Sequence, residues 1–352
     1  MSGARSIRPG RGCFRAQGYS FMDAFRSSVL TAIFLFGFWY GGGALALADD
    51  HRSVYGPTPS SSFTIFAFDP DLLGGWNTPL RGYEKKYIAA KYHALPVLGG
   101  WYGEGYIPDK EMLLASGLKK AFYLSGGPFN KSRVIPVLEK LSIEVITASG
   151  ALDQAPECFR AMGRAFDREP RGEALGAYAE EVLARLAETV GLLPEDKRPT
   201  FFFSMQADGL ATICGDSESS EAMEMAGGRN VHKCLPGTKD ASTRITFEQM
   251  MAYDPDVILI IQPNLYESLP NNQRWNQLRA VREGRVYLVP RGPFSWLERP
   301  ATYMRLLGIQ WLAGILHPEV YSVDIRQETR IFMKLFFSLD LNDEQLTEIL
   351  NS

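Results

Sequence analysis

The chain has 352 residues, a formal charge of −3, and a composition that is 45% hydrophobic and 22% charged. That is enough for one large or two ordinary domains with a sizeable core, and it excludes a disordered, collagenous or multi-span membrane protein. The near balance of 37 basic and 40 acidic residues argues against nucleic acid as a partner.

Charge is unevenly spread. Residues 1–48 hold five arginines (Arg5, Arg8, Arg11, Arg15 and Arg26) against one acid, Asp23, which leaves −7 on the remainder. The basic stretch leads into the apolar run Val29 to Tyr40, then into small residues ending Ala46-Leu47-Ala48 before Asp49. This order predicts a cleavable secretory signal peptide over residues 1–48 and a periplasmic mature protein. A membrane anchor is the alternative; the apolar run is short for a span and Gly41-Gly42-Gly43 interrupts it. Met22 offers a second start.

Residues 49–62 are rich in Pro and Ser without periodicity and are expected to form a flexible lead-in. Phe63 to Phe68 reads as a short strand stopped by Asp69-Pro70-Asp71, with further strands at 96–98, 121–124 and 143–146. Helical patterns over 108–116 and 133–141 lie between them. Strands alternating with helices predict a first α/β lobe, residues 63–168, built on a mostly parallel sheet. Leu175, Tyr178, Val182, Leu186 and Val190 then fall in steps of three and four, the pattern of one long amphipathic helix closed by Gly191 and Pro194. It forms a linker over 169–195. The α/β alternation restarts in a second lobe, residues 196–352, with strands at 200–204, 256–261 and 285–289. Helices are expected near 218–226, after Pro300 with Met304, Leu307, Trp311 and Ile315 on one side, over 325–337, and from Asn342. The predicted architecture is two α/β lobes joined by one long helix, with a cleft between the lobes.

Three cysteines follow Ala48. In an oxidising compartment Cys214 and Cys234 can close a bridge, or all three thiols, with Cys158, can stay free. No C-x-x-C pair occurs, and His51, His93, His232 and His317 are too dispersed to read as a three-His metal site.

The second lobe carries specific motifs. They are Ala226-Gly-Gly-Arg-Asn-Val231, Thr246-Phe-Glu-Gln-Met-Met-Ala-Tyr-Asp-Pro-Asp-Val-Ile-Leu259, Trp275 to Pro290, and Gly308-Ile-Gln-Trp-Leu-Ala-Gly-Ile-Leu-His-Pro-Glu319. In the first lobe Pro96-Val-Leu-Gly-Gly100 is followed by Ile107-Pro-Asp-Lys-Glu111, while Ser116-Gly-Leu-Lys-Lys-Ala-Phe-Tyr123 departs from the usual pattern. The ordered set resembles the helical-backbone (class III) periplasmic substrate-binding proteins of ABC importers for iron-siderophores, haem, cobalamin and related metal complexes. The resemblance covers roughly residues 63–350. It implies a monomer with no intrinsic cofactor that captures a metal chelate, a ferric siderophore first, and delivers it to a membrane permease and its ATPase. Haem, a corrinoid, a nickel or cobalt chelate, or an oxyanion are the alternative ligands.

Ligands of such a fold sit where strand-end loops of both lobes face each other. Those loops are aromatic and glycine-rich here, which marks Trp76, Trp101, Tyr102, Tyr106, Tyr266 and Trp296 as candidate walls, set against the alternative of core packing. Arg291 and Arg299 offer forked donors to an anionic group, Met205 and Gln206 follow a strand end, and His93 is a candidate metal ligand. By position in the motifs, the resemblance implies permease docking through Glu111 and Glu221. The chain has no G-x-S-x-G, H-E-x-x-H or Cys–His pairing, so no catalytic residues are assigned. A receptor for a membrane sensor, or a metal-chelate enzyme on a similar fold, are the readings from other classes.

Overall fold

The computed structural model describes residues 53–101, 107–125, 131–215, 217, 219–235, 242–297 and 302–351. Two three-layered α/β lobes are joined by one long helix. In the first lobe, strands β1 (Val54–Tyr55), β2 (Lys120–Ser125) and β3 (Glu144–Ser149) lie in that order, all parallel. In the second, β4 (Thr200–Ser204), β5 (Arg229–Asn230), β6 (Val257–Ile260) and β7 (Val286–Leu288) form a parallel sheet in the order β5–β4–β6–β7. The central strands β4 and β6 read Phe-Phe-Phe and Val-Ile-Leu-Ile because a parallel sheet covered on both faces buries every residue.

The beginning of the chain's described part differs from the sequence reading. Residues 53–62 are not a loose lead-in: Ser53 donates its N–H to the Leu72 carbonyl, and Val54–Tyr55 is the edge strand β1. Phe63 to Phe68 is not a strand but the end of helix α1 (Pro59–Phe68). The Thr58 hydroxyl caps it by accepting from Ser61 N–H, and Pro59 fits the first turn, where its missing N–H costs nothing. The helix is buried on all sides, so its sequence shows no polar stripe, and a short apolar run of that kind cannot be told from a buried strand by periodicity. Pro96 to Leu98 forms no ladder strand either; Val97 makes one isolated parallel bridge with Trp76.

Helix α2 (Ala155–Ala165) packs on the linker helix α3 (Glu169–Ala187), whose 19 residues span about 28 Å. The approach is close because Gly172 faces Gly163: a Cβ on Gly172 would lie 2.7 Å from the Phe159 carbonyl oxygen and 2.9 Å from the Gly163 Cα. Helix α4 (Arg305–Leu316) is buried nearly all round rather than on one stripe, and α5 (Ile325–Phe337) lays Phe332, Met333 and Phe336 against it. One apolar core runs continuously through both lobes, from Phe63 and Trp76 to Trp296, Tyr303 and Phe336. A shared core of this kind opposes wide hinge motion, because opening would expose it to water. Among the described residues no helix is long and apolar enough to cross a membrane.

Candidate functional site

Parallel strands direct their carboxyl ends, and the loops that follow, toward the junction of the lobes. From the first lobe come the turn Gly56-Pro57-Thr58 after β1, the turn ending at Asn77, the Gly99–Trp101 turn, and Ser149-Gly150 after β3. Helix α1 starts directly after β1, so its N-terminal end points to the same side. From the second lobe come Met205-Gln206 after β4, Gln262 after β6 and the segment beginning at Val289 after β7.

The sequence candidates divide sharply. Trp76 is 2% exposed and donates its indole N–H to the Tyr92 carbonyl at 2.9 Å, with Phe66 packed against its ring. Trp296 has no exposed surface and donates to the Gly292 carbonyl at 3.1 Å. Both are core residues, and so is Met205; the expectation that they wall the ligand is corrected. In each Trp the one polar group is satisfied by backbone, which lets the whole ring leave water. Gln206, next along from Met205, is exposed and adopts φ +61, a left-handed conformation uncommon for a residue with a Cβ. That turn delivers Gln206 to the surface at the end of β4 while Met205 stays inside.

Trp101 is half-buried against the smaller first-lobe core, and its backbone N–H is bonded to the Pro57 carbonyl. Arg291 is half-buried with its guanidinium 5.0 Å from the Tyr83 ring centre, a cation–π contact from the second lobe to the first. Tyr266 is exposed on the short helix Pro263–Ser268. Tyr102, Tyr106 and Arg299 lie outside the described residues. His93, the candidate metal ligand, donates from Nε2 to the Ile88 carbonyl oxygen at 2.6 Å, and among the described residues no group of three His, Cys, Asp or Glu side chains is placed to hold a metal ion. Glu111 is exposed in the first turn of Lys110–Ala115, behind the N-cap Asp109.

Glu221 is not free for an outside partner. Its carboxylate accepts from Leu152 N–H at 3.0 and 3.1 Å, and from Arg305 Nη1 at 2.7 Å. Arg305 in turn donates to the Gly150 carbonyl. Each member of this ion pair therefore also bonds to the chain just beyond β3, and together they clasp the second lobe to the first. The docking expectation for Glu221 is corrected: it already has its arginine, 84 residues away in sequence. Phe63 stacked on Phe294 with ring centres 3.8 Å apart makes a second bridge.

Cys214 and Cys234 are joined in a disulfide with Cα atoms 4.8 Å apart. Closing a loop of 20 residues contributes about 3 kcal/mol in the chain-entropy account. Cys158 is buried, and burial pushes its thiol up to about 12, which leaves it inert at neutral pH.

Sequence reasoning missed Asn77, Ser62 and Arg305. A lone arginine in the otherwise apolar run Met304 to Leu307 was the available signal for a buried, paired cation.

A periplasmic binding protein family model matches residues 131–292. The solved ABC transporter solute binding protein from Sulfurospirillum deleyianum DSM 6946 is 33% identical, with a TM-score of 0.80 over 85% of this chain and 93% of that one. The chain belongs to the class III periplasmic binding proteins of ABC importers. Periplasmic binding proteins of this kind serve transport, not catalysis. The molybdate-binding protein MolA of Haemophilus influenzae is 27% identical over 177 residues, 49% of this chain and 48% of that protein, so the match spans about half the length of that relative. The structure of MolA bound to molybdate covers 83% of this chain and 95% of that one with a TM-score of 0.63 at 20% identity, a likeness of fold. The clasp and the continuous core tie the two lobes of this chain together.

Proposed function

We propose that this chain is the exported substrate-binding component of an ABC importer and that its interlobe cleft captures a small metal oxyanion of the molybdate class. The observation that carries this reading is the loss of Trp76 and Trp296 from the cleft to the core. Without those rings the strand-end loops offer backbone turns, the half-buried Ser60 at the start of α1 and the exposed Gln206 amide. Backbone N–H groups at glycine turns suit a compact anion, because they neutralise it with fixed dipoles and need no wide apolar face. The partial sequence kinship with MolA supports the same class. A ferric siderophore is the second reading, favoured by Trp101 and Arg291, an aromatic face and a cation on opposite lobes that suit an anionic organic chelate. In either case the ligand is the cargo, the protein acts as a monomer, and it works with a permease and its ATPase.

Native mass spectrometry of the protein taken from its own periplasm tests compartment, maturation and cargo together. The expected mass begins at Asp49, is monomeric and carries one bound molybdate or tungstate. Titration of the emptied protein with molybdate, tungstate, ferric siderophores, haem, cobalamin and nickel or cobalt chelates should then give saturable binding for the oxyanions. Binding confined to a siderophore would replace the first reading by the second, and binding of none would overturn both. Glu111 remains the proposed docking acid. Glu111→Ala should keep ligand affinity within about twofold, since the residue is exposed on the outside of the lobe, yet slow uptake by cells; normal uptake would remove the assignment.

A further inference from the structure

We infer that Asn77 is the positioning residue for the Gly99–Trp101 turn of the first lobe; its bearing on affinity rests on the cleft reading above. Asn77 is 7% exposed and sits where three strand-end turns meet. Its Nδ2 donates to the Gly56 carbonyl at 2.8 Å and to the Gly99 carbonyl at 3.0 Å, and its Oδ1 accepts from the Ser62 hydroxyl at 2.6 Å. Both amide hydrogens and the amide oxygen are used. One side chain thus ties the turn after β1, the start of α1 and the loop at Gly99 into a single unit.

The rest of the turn is built around that amide. Tyr55, whose ionisation burial strongly opposes, donates its hydroxyl to the same Gly99 oxygen at 3.0 Å. Trp101 N–H is held by the Pro57 carbonyl at 2.8 Å. Gly99 has φ +72, and a Cβ on Gly100 would lie 2.3 Å from Asn77 Nδ2 and 2.8 Å from the Pro57 oxygen. Only glycine fits there, and it fits because the asparagine amide lies directly beneath it. The chain path through 99–101 is therefore dictated by a buried amide packed against it. Aspartate has nearly the same shape but only accepts hydrogen bonds, so Asn77→Asp turns two attractive contacts into a carboxylate facing two carbonyl oxygens. Glutamine is longer by a methylene, for which the packing against Gly100 leaves no room.

Hydrogen–deuterium exchange on the ligand-free mature protein reads the positioning role without a ligand. In N77D, exchange of peptides covering 99–101 should rise at least tenfold while β4, β6 and α3 keep their protection. Ser62→Ala, which removes the donor to Oδ1 together with that hydroxyl's contact to the Gly56 carbonyl, should raise exchange at 99–101 by a smaller factor, about threefold, with the rest unchanged. Where N77D loses protection throughout, the Ser62→Ala result decides. Unchanged exchange at 99–101 in both variants would overturn the inference whatever the ligand proves to be. Molybdate titration runs beside it: affinity should fall at least tenfold in N77D if the wild type binds molybdate. Failure of the wild type to bind molybdate counts against the oxyanion reading alone. Raised loop exchange with undiminished molybdate affinity would overturn the link from Asn77 to the ligand.

Discussion

Glu221→Ala will destabilise the protein by about 3–5 kcal/mol, the loss expected when one partner of a buried ion pair is removed and the other charge stays inside. The stranded group is Arg305, whose side chain is only 6% exposed, against 24% for Glu221. The asymmetry orders the mutants. Arg305→Met leaves a carboxylate that still reaches water and the Leu152 N–H, so its loss should be smaller, about 2–3 kcal/mol, the scale of charge-assisted hydrogen bonds. The double mutant should be less destabilised than the sum of the singles, because neither charge is then left alone. Chemical denaturation of the four proteins measures this cycle. Single losses below about 1 kcal/mol with additive behaviour would mean the pair acts as an exposed salt bridge and clasps nothing. The clasp also changes how a transport defect is to be interpreted: a Glu221 variant that imports poorly would be suffering first from lobes that no longer hold their relative position.

Trp296→Ala should cost a further-reaching 3–5 kcal/mol or so, as truncation of a fully buried ring does when the site cannot collapse. Collapse is opposed here by the backbone behind the ring. Gly308 of α4 lies so close to residue 296 that a Cβ on it would fall 2.0 Å from the Trp296 carbonyl oxygen, so helix and segment are already at their closest approach. In a body of this size the melting temperature should drop by roughly 6–10 °C. Trp296→Phe keeps most of the apolar area and loses the bond to the Gly292 carbonyl, and should cost less than half as much. A melting curve within about 2 °C of wild type for the alanine variant, together with at least a tenfold loss of affinity, would return Trp296 to the cleft wall.

Much of the architecture was legible along the chain. The three-and-four spacing from Leu175 to Leu186 marks α3, and the apolar runs at Phe201 and Val257 mark parallel strands buried on both faces. These signals are local, carried by a turn or two of helix or a few residues of strand, and the ordered second-lobe motifs named the family. The pairing of Cys214 with Cys234 was one of two open readings, settled by the closeness of their Cα atoms. What the sequence left undecided was which face each residue shows once distant segments meet. Phe63 to Phe68 has the composition of a strand and becomes a helix because its neighbours bury it from every side and Thr58 caps it. The aromatic loops looked alike, yet Trp76 and Trp296 go to the core because a backbone carbonyl waits there for each indole N–H, while Trp101 stays half-buried. Glu221 reads as an acid at a helix start, and only the fold brings it to Leu152, 69 residues back, and Arg305, 84 residues on. A side chain's partner across such separations is set by packing, and local sequence carries no record of it.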